Sequence, residues 1–298
     1  MIVVMEITFV TYLALVLVGL CLGSFGGAMV WRLRARQLAR DKAEGEPYDK
    51  NELARLKKLN TGNVMNDRSR CLSCSYELRW YDLIPLVSWL SLRGKCRQCK
   101  KPIGGMEPLI ELAVAAFFVM SYAFWPYELE STLGIARFVL WLAAGVGLAI
   151  LAAYDTRWFL LPDKVNFAVI GLGAAVALLV IGGSPEPLLA AGGVLASVLI
   201  LSGIYLVLYL VSRGKWIGFG DIKLGLGLAL LLADWQLAFV ALFAANLIGC
   251  LIIIPGMIAG KIKRNAHVPF GPLLIAGAVV AQLFGPAMTE WYSLLLFL

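Results

Sequence analysis

The sequence predicts an all-α polytopic membrane protein of about eight transmembrane helices, carrying a small cytoplasmic module built on four cysteines. Three observations predict it. The chain is 60% hydrophobic with a mean hydropathy of +0.82, above the soluble average of about 45–50% apolar residues. The excess is gathered into long runs with almost no charge, which is the signature of membrane insertion. Finally, 17 of the 26 Lys and Arg residues lie between Arg32 and Lys101, in one stretch between apolar runs.

The apolar runs fall at roughly 7–30, 108–125, 135–154, 165–182, 188–211, 222–233, 236–259 and 270–287. Each is read as a helix, because an open strand would leave backbone groups unpaired in lipid. The sixth is short and reads as a tilted or partly inserted helix. The first begins near Ile7 with no basic residue before it and runs to Val30. That is too long for a signal-peptide core.

Orientation follows from the basic residues. Arg32, Arg34, Arg36 and Arg40 follow the first run, and Lys100 and Lys101 precede the second. Further clusters occur at Arg157/Lys164, Arg213/Lys215 and Lys261/Lys263/Arg264, whereas the alternate connections near 126–134, 183–187 and 234–235 hold no Lys or Arg. With an even number of spans, this places the basic loops inside and both termini outside. Arg137 is the exception, and it can snorkel to the interface. The net charge of +7 is therefore a cytoplasmic retention signal and not a nucleic-acid surface.

Four regions result. Residues 1–31 form the first transmembrane helix, 32–70 a basic cytoplasmic linker, 71–107 a cytoplasmic four-cysteine module, and 108–298 a transmembrane core. Residues 37–70, rich in Lys, Asp, Glu, Asn and Gly, read as a mobile linker with one short helix at Asn51–Leu59. No repeat of fixed period is evident beyond the helices themselves.

Cys71 and Cys74 form one CxxC pair, and Cys96 and Cys99 a second, with 21 residues between them. Two such knuckles present four thiolates that can close a tetrahedron around Zn²⁺. The competing reading, two disulfides, is disfavoured in a reducing cytoplasm. Four protein ligands leave no open coordination position, so the metal would be structural. It would also support a module too small to fold on an apolar core alone. Cys21 and Cys250 lie within spans and read as small apolar residues.

Ionisable residues at span ends are costly and point to function. Glu111, Asp155 and Asp221 are the candidates. Asp155 ends the third span and Asp221 begins the sixth, both at the predicted cytoplasmic end. On different helices, they can face each other across a bundle. Two close carboxylates share one proton. The ionised partner then acts as a general base on water while the protonated one donates to a carbonyl oxygen. The chain's single His, His267, accompanies no nucleophile elbow and no HExxH motif. Gly218 and Gly220 flank Asp221 and allow unusual backbone angles or close approach of a substrate. The bland alternatives are a tight turn with Asp221 as a helix N-cap, and Asp155 as a solvated interfacial acid beside Arg157.

Gly218-Phe219-Gly220-Asp221 resembles the GxGD signature of intramembrane aspartyl proteases. The whole chain resembles bacterial type IV prepilin peptidases, which are leader peptidases and N-methyltransferases. The matching pieces stand in the family's order: Leu22 to Phe25 with Arg32-Leu33, Arg70 to Cys74, Trp80 to Leu90, Arg93 to Cys99, Pro108 to Leu112, Asp155 with Leu161-Pro162-Asp163, Gly218 to Leu224, and Pro269 to Pro272. The chain departs from the family's usual residues at Gly27, Leu72, Leu83 and Met106-Glu107.

The resemblance implies a catalytic pair of Asp155 and Asp221. It implies removal of a short basic leader from prepilins or pseudopilins at the cytoplasmic face of the inner membrane, and methylation of the new N-terminus with S-adenosylmethionine. Glu111, Asp163, Gly218, Gly220 and Lys223 are then expected to bind the substrate or shape the site. Asp163 has a plainer reading as the N-cap of the fourth helix. A transporter using Asp155 and Asp221 as an ion or proton site is the alternative, and it leaves the cysteine module and the GFGD segment unexplained. An archaeal-type preflagellin peptidase generally lacks the cysteine loop. A scaffold binding a partner through its zinc module has no use for the aspartates.

Overall fold

The computed structural model describes residues 2–59, 68–261 and 268–296. His267, Lys263 and Arg264 lie outside them, as do residues 60–67 of the expected linker. The described residues form helices, joined by turns and two isolated bridge pairs, Arg70–Glu77 and Lys95–Pro102. Seven helices are long and apolar enough to cross a membrane, so the chain is a multi-pass membrane protein. Two compact units are present, Met1–Val119 and Met120–Leu298.

In the first unit, α1 (Ile2–Glu44) runs for 43 residues, well past the expected end at Val30. The basic segment after Trp31 is made of good helix formers with no Gly or Pro before Gly45, where φ of +76° ends the helix. Leu33, Ala35 and Leu38 are buried on it. After a turn, Asp49 caps α2 (Lys50–Leu56) by accepting the Asn51 and Glu52 N–H groups. Leu56 and Leu59 are buried, α2 packs on α1, and Arg34 pairs with Glu52 at 2.6 Å. The expected mobile linker is therefore corrected over residues 37–44, which continue α1, while the short helix expected at Asn51–Leu59 is present as α2 and the 3-10 turn Lys57–Leu59. Its apolar residues, spaced for helical faces, fold it into a helix pair.

The cysteine module follows, with a 3-10 turn at Trp80–Leu83 and the short α3 (Val87–Ser91). α4 (Met106–Ala123) leads into the second unit. Within the first unit, α1 and α4 cross closely through glycines at four-residue steps. A Cβ on Gly19 would come within 2.6 Å of Ala115 Cα, and one on Gly23 within 2.5 Å of Glu111 Cα. Gly27 continues the stripe over Glu107. Small residues let helix backbones approach where lipid supplies no hydrophobic drive.

The second unit holds α5 (Thr132–Trp158), α6 (Asp163–Gly183), α7 (Pro187–Val198), a π-helical turn (Leu199–Gly203), α8 (Ile204–Ser212), α9 (Phe219–Leu232), α10 (Trp235–Ile258) and α11 (Gly271–Leu296). α7, the π turn and α8 together make one continuous span, Pro187–Ser212. The sixth predicted segment is α9, a helix of only 14 residues. At about 21 Å it falls short of the roughly 30 Å hydrocarbon layer. It is enclosed by protein instead. α6, α7, α8, α10, α11 and the π turn all pack on it, and Leu224, Leu228, Ala229 and Leu232 are fully buried. A helix apolar on every face belongs inside a bundle, and one shielded from lipid need not match the bilayer's thickness. At the α6–α9 crossing, Gly173 and Gly227 stand where a Cβ would collide with the facing helix.

Candidate active site

Asp155 lies in the last turn of α5 and is only 6% exposed. It is not the solvated acid of the bland reading. Its Oδ2 accepts the backbone N–H of Gly271 at 2.9 Å. Gly271 opens α11, where N–H groups lack partners within their own helix and carry the positive end of its dipole. A Cβ on Gly271 would sit 2.8 Å from that same oxygen. The glycine therefore lets the helix N-terminus reach the carboxylate.

Asp221 sits in the first turn of α9 and is not its N-cap, which is Gly218. Its charge interacts with that of Asp155. The residues flanking the two carboxylates, Gly271 at Asp155 and Gly220 before Asp221, both pack on one side chain. Leu161, in the connection between α5 and α6, bridges the two sides. A Cβ on Gly220 would meet Leu161 Cβ at 3.0 Å, and one on Gly271 would meet Leu161 Cδ2 at 3.4 Å.

The glycines act differently from the expectation of unusual backbone angles. Gly218 has φ −76° and ψ 147°, which any residue adopts, and Gly220 is helical. Their contribution is space: Gly220 admits Leu161, and a Cβ on Gly218 would stand 3.4 Å from Asp221 Oδ2. Asn166 Nδ2 lies 3.4 Å from the Gly220 carbonyl oxygen.

Asp163 is the first residue of α6, whose N-cap is Pro162, so the N-cap reading is corrected. Its carboxylate accepts from Lys223 Nζ at 2.6 Å. The same ammonium lies 5.0 Å from the Phe219 ring centroid and 5.3 Å from that of Phe167. Lys223, two residues after Asp221, therefore ties the start of α9 to the start of α6 at Asp163. Glu111 belongs to the first unit. It is 7% exposed, accepts the Leu86 N–H at 2.8 Å, and has the Ser24 hydroxyl as a further partner. Leu86 has a φ of +56°, an unusual conformation for a Leu, so this bond holds a strained corner of the cysteine module on α4.

In that module the four sulfurs of Cys71, Cys74, Cys96 and Cys99 lie within 4.8 Å of one another. Cys71–Cys99 is 3.9 Å and Cys74–Cys96 is 4.0 Å. These separations exceed the ~2.05 Å of a disulfide. They match the edge of a sulfur tetrahedron with metal–sulfur bonds of about 2.3 Å. The two knuckles repeat one backbone pattern. Cys71 N–H donates to the Tyr76 carbonyl and Ser75 N–H to that of Cys71, while Cys96 N–H donates to Lys101 and Lys100 N–H to Cys96. Ser75 and Lys100 both take positive φ. Burial pushes the Cys71 thiol up. Burial acts the same way on Cys96, but the N–H groups of Cys99 and Gln98 together with the Cys71 and Cys99 thiols outweigh it and hold that thiol down at about 7. Asp82 accepts from Arg97 Nε at 2.8 Å and so clamps the second knuckle to the 3-10 turn.

The chain matches the Bacterial Peptidase A24 N-terminal domain over residues 17–125 and the Type IV leader peptidase family over residues 141–254. It is 31% identical to a prepilin leader peptidase/N-methyltransferase of Stutzerimonas stutzeri, over 94% of this chain and 92% of that protein. A protein of the same name from Pseudomonas aeruginosa is 30% identical over 94% of this chain and 92% of its own length. One from Burkholderia pseudomallei is 33% identical over 94% and 86%. No solved structure matches the chain. The protein is a membrane-embedded peptidase by class. It belongs to the type IV leader peptidase family.

Sequence reasoning missed the Gly271 N–H as the anchor of Asp155, although the Pro269 to Pro272 segment was in view. It also missed Leu161 as the bridge.

Proposed function

We propose that Asp155 and Asp221 are the catalytic pair of a prepilin leader peptidase/N-methyltransferase that removes a short basic leader from prepilins or pseudopilins. The observation carrying this reading is the pairing of two carboxylates from α5 and α9, one of them anchored by the Gly271 N–H. One shared proton sits on the pair. The ionised aspartate takes a proton from water as its oxygen adds to the scissile carbonyl carbon, and the other aspartate protonates the carbonyl oxygen. In the collapse of this tetrahedral species the carbon–nitrogen bond breaks. The leaving amine takes a proton from the first aspartate, and the second recovers its own. The Gly271 N–H fixes the orientation of Asp155 throughout. Asp163, exposed and ion-paired with Lys223, stands ready to receive a basic leader residue.

The four cysteines hold a structural zinc ion, and their spacing suits it. Its role is to fold the module, with no part in peptide hydrolysis. The N-methyltransferase activity uses S-adenosylmethionine, which supplies the methyl group. The protein lies in the inner membrane, with the cysteine module cytoplasmic, both termini outside, and α9 as the sixth crossing.

The test is cleavage of a purified prepilin, followed by mass measurement of the product. The parent protein yields a shortened and methylated chain. Asp155→Asn and Asp221→Asn yield neither while still inserting in the membrane. Normal cleavage by either variant would refute the assignment.

A further inference from the structure

Tyr205 presents a phenol that the fold leaves unused. It is 5% exposed, and its hydroxyl has no hydrogen-bond partner among the described residues. Buried hydroxyls are almost always paired, and an unpaired one is costly, so this one calls for a physical reason. Its surroundings supply one. The hydroxyl is near enough to Asp221 to feel the charge of that carboxylate, yet does not bond to it. The ring packs edge-on against Phe270 at 5.4 Å between centroids. Phe270 immediately precedes Gly271, whose N–H holds Asp155. Tyr205 therefore touches the segment that anchors one aspartate, and Ser202, three residues before it, bonds α9 at Ile222, the residue after the other.

The backbone before Tyr205 is built to place it there. Leu199–Gly203 is a π-helical turn. Such a turn holds one extra residue, which rotates everything after it by about 100° relative to a continuous α-helix. The turn is pinned to α9. Ser202 Oγ donates to the Ile222 carbonyl at 3.0 Å, directly after Asp221, and Gly225 leaves room for the Leu201 carbonyl. Ser202 and Tyr205, three residues apart and so neighbours on the helix surface, are both buried. A continuous α-helix from Pro187 would carry the phenol away from this position.

We infer that Tyr205 is a third catalytic side chain, whose hydroxyl donates a hydrogen bond to the oxygen of the substrate's scissile carbonyl as it becomes tetrahedral. This rests on the peptidase reading above. The phenol keeps its proton. It supplies a donor to an oxygen that gains negative charge, while proton transfer stays with the aspartates. Because the bond strengthens as that charge develops, it acts on the chemical step more than on binding.

The test is steady-state cleavage of a prepilin by full-length Tyr205→Phe, which keeps the ring on Phe270 and removes only the oxygen. The expected result is a kcat lowered by about 10²-fold, with KM, zinc content and thermal unfolding unchanged. A second measurement stands even if cleavage becomes too slow to follow. A substrate peptide whose scissile bond is replaced by a secondary alcohol should bind Tyr205→Phe at least tenfold more weakly than the parent, while the ordinary peptide binds both equally. A kcat within twofold of the parent, a change confined to KM, or equal binding of the alcohol would overturn the inference. If Asp155→Asn and Asp221→Asn are inactive while Tyr205→Phe is fully active, only this inference fails. Activity in either aspartate variant would remove the peptidase reading beneath it.

Discussion

The cysteine module and the aspartate pair both crowd like groups together, but they are assembled by opposite means. The module's sulfurs approach to 3.9 and 4.0 Å between residues 28 and 22 positions apart, on two copies of one knuckle. Short turns bring the thiols together, within reach of a single metal ion that would offset their mutual repulsion. The aspartate site joins α5, α9 and the start of α11, with Asp155 and its Gly271 donor 116 residues apart. No cation is required there. A helix N-terminus holds Asp155, and Leu161 packs against Gly220 and Gly271 beside the two carboxylates. A site made by local turns tolerates a distant packing error, whereas one made by helix packing fails when any contributing helix shifts.

That contrast can be broken or sharpened by substitution. The largest effect is expected at the dyad, where Asp155→Asn or Asp221→Asn should lower prepilin cleavage by about 10⁴-fold or more. Zinc measured by elemental analysis should stay at the parent level, because the cysteines do not depend on the aspartates. Next, Cys71→Ser should lose the metal entirely and open the module to proteolysis, since three thiolates no longer close the tetrahedron. Acidification should release metal from the parent protein for a related reason: coordination needs deprotonated thiols, and protons compete for them. Metal retained at pH 4 would contradict the thiolate assignment.

A smaller effect is expected at the anchor. Gly271→Ala places a Cβ against Asp155 Oδ2, so it should displace the carboxylate and reduce kcat by about 10- to 100-fold with little change in KM. The least effect on stability belongs to Lys223→Met. Its partner Asp163 is 59% exposed, and such pairs are worth about 0–1 kcal/mol. A shift in the midpoint of unfolding beyond that range would show that Lys223 has a structural partner of greater weight.

How legible these features were follows from the same distinction. The helices were readable because lipid demands long apolar runs, and the cysteine cluster because CxxC spacing fixes its own geometry. Asp155 and Asp221 were readable as candidates because charge at a membrane boundary is costly. Their partner Gly271 was not, since a backbone N–H has no side-chain signature. Tyr205 was hidden for another reason: the π turn changes which face it occupies, and apolar periodicity cannot register one extra residue inside a uniformly apolar span. The helical course of α1 to Glu44 was obscured by charge, because a solvated basic helix and a basic coil have similar compositions.

The central claim is that one carboxylate from α5 and one from α9 act as a single unit. The direct test compares cleavage rates of Asp155→Asn, Asp221→Asn and the double variant on one prepilin. The account predicts that the double variant is no slower than either single one, because removing one partner already disables the pair. Losses that multiply in the double variant would show that the two aspartates act independently, and would contradict it.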